Sequence, residues 1–248
     1  MRTSQYVTAM ADVQIAERLA VAVGTRRGRA AADQLCEACV DLLSVDAAAI
    51  SVIFDGSNAG TLGASDAPAR VYDEVQFTLG EGPCLDSVAS HAPILVADLA
   101  EAPTPRWPAY TSAMLAHDIH HVSAVPVVIA GEYVGALDLF RVAPGDLAVE
   151  QLAGALVAAE LAELPLLDLL AEDEEVAVAD PDSDAWAELN QLSRAEVSQA
   201  TGVVVAQLDV EPVEALVRLR AHAFVSGVGA TEVARDILSG RLRLEIDR

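Results

Sequence analysis

The stretch Val122–Val142, VSAVPVVIAGEYVGALDLFRV, holds two runs of apolar and β-branched residues on either side of Ala130-Gly131-Glu132. Short runs of this composition around a glycine-containing turn are typical of a β-hairpin. We therefore predict two antiparallel strands, Val122–Ile129 and Tyr133–Val142. An antiparallel sheet built on this hairpin is the predicted basis of the fold.

Further strands and helices are predicted on both sides of the hairpin. Short β-branched runs that end at turn residues predict strands at Ala48–Phe54, Thr61–Ala64 and Ile94–Ala97. Apolar residues at spacings of three and four predict helices, two between Asp12 and Leu43 and others at Arg70–Phe77, Leu85–Ser90, Ala109–Ala116 and Leu147–Leu170 with a kink at Pro165. Residues 12–170 therefore read as an α+β domain with a sheet of five or six antiparallel strands and flanking helices.

The remaining residues predict an acidic linker followed by an all-α domain. Residues 171–183 are rich in acids and poor in bulky side chains, which favours a solvated linker. Over residues 184–248, three helices are predicted at Ala185–Leu208, from Glu211-Pro212 to Phe224, and at Thr231–Leu238. Gly202 lies inside the first helix, where glycine costs about 1 kcal/mol relative to alanine. We favour close packing of another helix as its reason, with direct ligand contact as the alternative.

Charge and composition exclude several classes of function. The chain of 248 residues has 15 arginines, no lysine and 38 acidic residues, and its net charge of −23 disfavours unspecific binding to nucleic acid. The segment 184–248 has 7 arginines and 10 acids, and its net charge of −3 is the least repulsive to a polyanion. Apolar runs are short and the first ten residues lack a basic stretch followed by an apolar one, so we expect neither a membrane span nor a secretory signal. Three cysteines suit a reducing cytoplasm, so we expect a cytoplasmic protein.

Catalysis and metal binding find little support in the sequence. His117, His120 and His121 have metal-like spacing, but no third cluster of ligands accompanies them, so we predict no metal and no enzyme. Cys36 and Cys39 form a CxxC pair within an apolar helical run, which favours buried structural residues over a redox or metal role. Cys84 is predicted at a helix start, where a thiolate is stabilised. We keep the three cysteines as ligand or redox candidates and favour a structural role.

The predicted sheet domain carries three motifs in order: Gly80-Glu81-Gly82-Pro83-Cys84, Arg106-Trp107-Pro108 and Gly135-Ala136-Leu137-Asp138-Leu139-Phe140. In these motifs, over about residues 30–165, the chain resembles the GAF-type sensory domains of actinobacterial regulators. The resemblance implies a pocket over the sheet for a small-molecule signal and leaves the cofactor unknown.

The C-terminal segment, over about residues 188–242, resembles an ANTAR domain, a three-helix module of transcription antitermination regulators. The matching residues are Arg194, Gln199-Ala200-Thr201-Gly202, Glu214-Ala215, Leu219-Arg220 with His222-Ala223, and Val233-Ala234. The resemblance implies binding of tandem RNA hairpins by a homodimer. The RNA-binding candidates are Arg194, Gly202, Arg218, Arg220, His222 and Arg235.

Two hypotheses for function follow from these residues. The first is a signal-responsive antitermination regulator in which the GAF-like domain controls RNA binding by the C-terminal helices. The alternative is a dimeric protein-interaction or redox-sensing regulator with weak or no RNA binding, because Thr201 and Ser226–Gly229 stand where the family usually has basic residues. Arg218 and Arg220 lie about 200° apart on a helix and cannot face one ligand together. Arg218 is also placed to pair with Glu214, four residues earlier.

Overall fold

The computed structural model describes residues 15–54, 57–101, 106–168 and 194–245. A five-stranded sheet lies at its centre, with the strand order β2-β1-β5-β4-β3 and antiparallel pairing throughout. The strands are β1 (Ala47–Phe54), β2 (Ser57–Ala64), β3 (Ile94–Val96), β4 (His121–Ile129) and β5 (Glu132–Arg141). The predicted hairpin is confirmed, because β4 and β5 pair from His121 opposite Arg141 to Ile129 opposite Glu132.

Helices cover both faces of the sheet, which confirms the predicted α+β class. They are α1 (residues 15–23), α2 (Gly28–Leu43), α3 (Ala67–Leu79), α4 (Pro83–Ser90), α5 (Pro108–Ala116), α6 (Val149–Leu161) and α7 (residues 163–168). Helices α2 and α6 pack on one face, and α3, α4 and α5 cover the other. None of the described helices combines the length and apolar character that a membrane span requires. We call residues 15–168 the sheet domain.

The core under α2 and α6 is apolar and closely packed. Alternate strand residues such as Ile50, Leu137 and Leu139 point into it. A Cβ on Gly63 of β2 would lie 2.5 Å from the backbone of Ala32, so α2 approaches β2 closely because this position has no side chain. Cys36 and Cys39 are buried in the same core, as predicted.

The predicted helix Leu147–Leu170 is interrupted. Helix α6 ends at Leu161, and α7 begins after a turn at residue 162. Pro165 explains the break, since proline lacks the N–H that would bond to the carbonyl of Leu161 and its ring clashes with that carbonyl. Residues 169–170 and the predicted linker at 171–183 lie outside the described residues.

Three described helices follow, and the first is shorter than predicted. They are α8 (Ala195–Leu208), α9 (Pro212–Ser226) and α10 (Ala230–Leu238). A continuous helix over Ala185–Leu208 is wrong at Arg194, whose φ of 45° is left-handed, so α8 begins at Ala195. Residues 184–193 lie outside the described residues. We call residues 194–245 the C-terminal helical unit.

The core of the C-terminal helical unit includes a residue of the sheet domain. Its buried side chains include Val204 of α8, Leu219 of α9 and Ile237 of α10. Phe77 of α3 is buried in the same cluster. The unit therefore packs on α3 and completes its core there.

Candidate functional site

The Gly80–Cys84 loop fixes the three helices on one face of the sheet. Gly80 ends α3 with a φ of 66°, and Gly82 has a φ of 150°, values that favour glycine. A Cβ on Gly82 would lie 2.4 Å from Oε1 of Gln76, so the loop passes directly over that side chain. Glu81 Oε1 accepts hydrogen bonds of 2.7 and 2.9 Å from the first backbone N–H groups of α5. The loop therefore joins α3, α4 and α5.

The Arg106-Trp107 pair, which precedes α5, also binds α4. Trp107 Nε1 donates to Asp86 Oδ2 at 2.9 Å, and Arg106 forms an ion pair of 2.6 Å with the same carboxylate. Asp86 lies in the first turn of α4, where an acid is favoured by the helix dipole. The two motifs shared with GAF-type domains thus have structural roles in this chain.

A group of polar side chains is buried between α3 and the sheet. This buried polar cluster consists of Ser51, Asn58, Asp73, Gln76 and Asp138. Asn58 Nδ2 and the Ser51 hydroxyl contact Asp73 Oδ1, the first at 2.9 Å. Gln76 Nε2 donates to Asp138 Oδ2 at 2.9 Å, and its Oε1 accepts from the backbone N–H of Cys84. Hydrogen bonds therefore run from β1 through α3 and β5 to the start of α4.

Asp138 lies in this cluster without a cationic partner among the described residues. Burial, followed by the nearby charge of Asp73, raises the pKa of Asp138 well above its usual value. The Ser51 hydroxyl lies 3.3 Å from Asp138 Oδ2 and also contacts Asp73, yet it has only one hydrogen to donate. The raised pKa of Asp138 favours the neutral acid, and a hydrogen on its Oδ2 can fill the second of these two contacts.

Arg194 enters the buried polar cluster from the C-terminal helical unit. Its Nη2 lies 3.4 Å from Asp73 Oδ2 and 3.3 Å from Asn58 Oδ1, and its Nη1 forms an ion pair with Glu74. Only 8% of Arg194 is exposed. A buried charge of this kind is stable only when it is paired, and the two carboxylates of α3 provide the pairing.

A second arginine meets the same surface. The guanidinium of Arg194 lies 3.9 Å from the ring centroid of Phe77, and that of Arg220 lies 4.6 Å from it. Burial, followed by the positive charge of Arg194, lowers the pKa of Arg220. Both RNA-binding candidates are therefore turned towards the sheet domain in this arrangement.

The remaining RNA-binding candidates face solvent. Arg218 pairs with Glu214, as predicted, and Arg235 pairs with Glu196 at 2.8 Å. His222 lies beside Arg218 on a groove of about 420 Å³. Arg220 faces α3 whereas Arg218 pairs with Glu214 at the surface, so the two side chains point in different directions.

Gly202 corrects our interpretation of the helix glycine. It is exposed on α8, and a Cβ placed on it would meet nothing within 4 Å. The expectation that another helix packs closely against Gly202 is therefore wrong. Direct ligand contact, the alternative, stays a prediction.

The three cysteines are placed as buried residues. Burial raises the pKa of Cys39 to about 12 and, as the largest cause in each case, raises the pKa of Cys36 and Cys84 as well. Cys84 does lie in the first turn of α4, but desolvation and nearby Asp138 and Asp73 outweigh the helix terminus. The helix start therefore does not lower the pKa of Cys84, which supports the structural role that we favoured for this residue.

The histidines and acids of the described residues form no group suited to a metal ion. His121 is buried, and its Nε2 lies 2.8 Å from the Ser123 hydroxyl. His120 Nδ1 lies 3.1 Å from Asp98 Oδ1. His120 and His121, at the start of β4, thus contact different partners.

Several residues of the site were not predicted from the sequence, among them Asp73, Glu74, Phe77 and Asp138. Asp73, Glu74 and Phe77 lie on α3, a helix that was predicted. The spacing of its apolar residues does not indicate that α3 also packs against the C-terminal helical unit. Asp138 lies in a strand where residues 135–140 are all buried, so alternation of polar and apolar residues does not single it out. The available signal was Asp138 itself, an acid between two leucines in a strand that is buried on both faces.

Comparisons with known proteins agree with the fold of the sheet domain. The family model described as GAF domain matches residues 29–164, more than half of the chain. The GAF domain of a phosphoenolpyruvate-protein phosphotransferase from Coxiella burnetii is similar in structure, with 17% identity, a TM-score of 0.50, and coverage of 68% of this chain and 98% of that one. The corresponding domain from Acinetobacter has 11% identity, a TM-score of 0.49, and coverage of 68% and 97%.

A third solved structure comes from an enzyme. It is a type II free methionine-R-sulfoxide reductase from Thermoplasma acidophilum, with 17% identity, a TM-score of 0.41, and coverage of 54% of this chain and 87% of that one. A comparison with curated proteins found no significant match.

Proposed function

The chain belongs to the GAF domain family, and we propose that it is a signal-responsive regulator of transcription antitermination whose C-terminal helical unit binds RNA hairpins as an ANTAR domain does. The observation that carries the proposal is the contact between the two parts of the chain. Arg194 of the helical unit is paired with Asp73 and Glu74 inside the sheet domain, which we now call the GAF domain. A change in the GAF domain therefore acts directly on a residue of the proposed output.

The exposed cations of the helical unit support an RNA-binding role. Arg218, His222 and Arg243 line one groove. Arg218 pairs with Glu214 at the surface, and such exposed pairs contribute about 0–1 kcal/mol. Little free energy is therefore lost when Arg218 leaves Glu214 and binds an RNA phosphate instead. Arginine also forks onto phosphate and stacks on splayed bases.

The buried polar cluster and nearby Tyr110 support a polar small-molecule signal. Asp138 Oδ1 and the Tyr110 hydroxyl are buried without a hydrogen-bond partner within the described residues. Unpaired buried polar atoms are costly, so a ligand with hydrogen-bonding groups is favoured over a purely apolar one. The identity of the ligand is left open, and no cofactor is proposed.

We further propose a cytoplasmic homodimer without catalytic activity. Exposed apolar side chains on α6 and α7 support self-association, namely Val149, Leu156, Leu164 and Leu167. The three buried thiols, whose pKa values are raised, favour a structural role over nucleophilic chemistry. Sedimentation equilibrium tests the dimer, and a concentration-independent monomer would contradict it.

A gel-shift titration of the full chain with paired hairpin RNAs tests the RNA-binding function. We expect binding at low salt that weakens as salt rises, with each phosphate contact adding about −0.7 to −0.9 to the logarithmic slope. Arg218→Ala should weaken binding and reduce the slope, and Asp41→Asn on α2 is a distant control. Absence of binding at low salt, with and without a cell-extract filtrate of small molecules, would contradict the function if it persists in chains whose C-terminal helical unit is released from the GAF domain.

One observation favours the alternative of a protein-interaction regulator. Val213, Val217 and Phe224 form an exposed apolar stripe along α9. Such a stripe suits a protein partner better than a polyanion. If RNA binding appears only after Thr201→Lys restores the basic residue typical of the family, the alternative is favoured.

A further inference from the structure

The amino terminus of α10 is capped by the GAF domain. The N-cap residue of α10 is Gly229, which has no side chain to accept a hydrogen bond. Instead, the backbone N–H of Ala230 donates to Thr78 Oγ1 at 3.0 Å, and that of Thr231 donates to Glu74 Oε1 at 3.1 Å. Both acceptors belong to α3. A helix of the output unit therefore takes its cap from the sensory domain.

Glu74 makes more contacts than its single hydrogen bond to the helix backbone. Its Oε1 also accepts from the Thr231 hydroxyl at 2.8 Å, and its Oε2 pairs with Arg194. A guanidinium, a hydroxyl and a helix-terminal N–H around one anion are the groups that also bind phosphate oxygens. A Cβ on Gly229 would lie 3.1 Å from Glu74 Cγ, so the absence of a side chain lets the carboxylate approach.

The two arginines on this face are not saturated by the GAF domain. Arg194 Nε and Arg220 Nε are both buried, and neither has a hydrogen-bond partner within the described residues. Arg194 also has a left-handed backbone, which is unfavourable for a residue with a Cβ. In the docked arrangement, with the C-terminal helical unit packed on α3, these two N–H donors are unused. A phosphate has more oxygen atoms than the Glu74 carboxylate and could accept hydrogen bonds from them.

We propose that Arg194, Arg220 and the amino terminus of α10 form an anion-binding face that Glu74 occupies in this arrangement, and that RNA phosphate competes with Glu74 for it. The docked chain is then autoinhibited, because the carboxylate on α3 stands in for a phosphate. The inference rests on the proposed RNA-binding function and adds the means of its control.

Two variants of the full chain release the face in different ways. Glu74→Gln removes the charge that binds Arg194, and Thr78→Val removes the acceptor for Ala230 without changing the net charge. Asp41→Asn, on an exposed position of α2, repeats the charge change of Glu74→Gln far from the contact. Amide hydrogen exchange of Ala230 and Thr231, measured by NMR, reports undocking independently of RNA.

We expect faster exchange at both amides in the two release variants, and RNA binding about tenfold tighter or more than in the wild type and in Asp41→Asn. Faster exchange with unchanged RNA affinity would overturn the inference while leaving the proposed function intact. So would unchanged exchange in both variants.

If no variant binds RNA, the proposed function fails, and inorganic pyrophosphate then tests the anion-binding face by itself. Pyrophosphate should restore slow exchange at Thr231 in Glu74→Gln at an ionic strength matched with chloride. No effect of pyrophosphate would overturn the inference.

Discussion

Asp138 shows how a single buried residue makes stability depend on pH. The folded chain holds the pKa of this carboxyl well above its unfolded value of about 3.9, so the folded state binds the proton more tightly. Stability from this group is fully present below the unfolded pKa and is lost as pH rises through the folded pKa.

Asp138→Asn should remove that loss, because asparagine resembles the neutral acid and cannot ionise. We expect the free energy of unfolding of the wild type to fall relative to that of the variant as pH rises, by about 1.4 kcal/mol for each pH unit between the two pKa values. Urea unfolding at several pH values above 4 measures the difference. Parallel curves would show that Asp138 is ionised in the folded chain.

Burial of the thiols leads to a second prediction at the scale of residues. Because burial raises the pKa of Cys36, Cys39 and Cys84, few thiolates form near neutral pH. Ellman's reagent should react rapidly with none of the three cysteines in the folded chain and with all three in guanidinium chloride. Rapid reaction of a native thiol would favour the redox-sensing alternative, and replacement of that cysteine by serine should then abolish an oxidation-dependent change in mobility.

Replacement of two glycines by alanine should change the stability of the chain in opposite directions, according to the element in which each glycine lies. Gly202→Ala on α8 places a methyl group in open space and should stabilise the chain by about 1 kcal/mol through helix propensity. Gly63→Ala on β2 forces a methyl group into the backbone of Ala32 and should destabilise it by about 1–3 kcal/mol. Thermal unfolding measures both. If Gly202→Ala weakens RNA binding while it raises Tm, the glycine serves a ligand.

The sequence predicted those elements whose signals are local. The β4–β5 hairpin follows from its glycine turn, and the break near Pro165 follows from a missing N–H. The contact between α3 and the C-terminal helical unit joins residues more than 100 positions apart. The spacing of apolar residues in these helices does not indicate such a contact. Arg194 matched a family motif, but its motif did not reveal that it is buried against Asp73 and Glu74.

At the scale of the whole molecule, Phe77 links the two parts of the chain. It contributes to the core of the C-terminal helical unit and receives two guanidinium groups, although it belongs to the GAF domain. The two parts should therefore unfold together.

Phe77→Ala should separate their unfolding. Truncation of a buried phenylalanine costs about 3–5 kcal/mol, and here the loss falls on the contact between the two parts. We expect calorimetry to show one transition for the wild type and two for the variant. Met114→Ala, in the core of the GAF domain away from this contact, should lower Tm but keep one transition. A single transition in Phe77→Ala would show that other contacts couple the parts.

The cap that α3 gives to α10 also limits how this protein can be recombined. The acceptor for Ala230 lies 152 residues earlier in the chain, on a different domain. A chimera that joins these C-terminal helices to a foreign sensor inherits the cap only if the foreign helix presents a carboxylate and a hydroxyl four positions apart, as Glu74 and Thr78 do. The GAF domain and the C-terminal helices are in this respect one structural unit, because exchange of the GAF domain alone removes the cap from the amino terminus of α10.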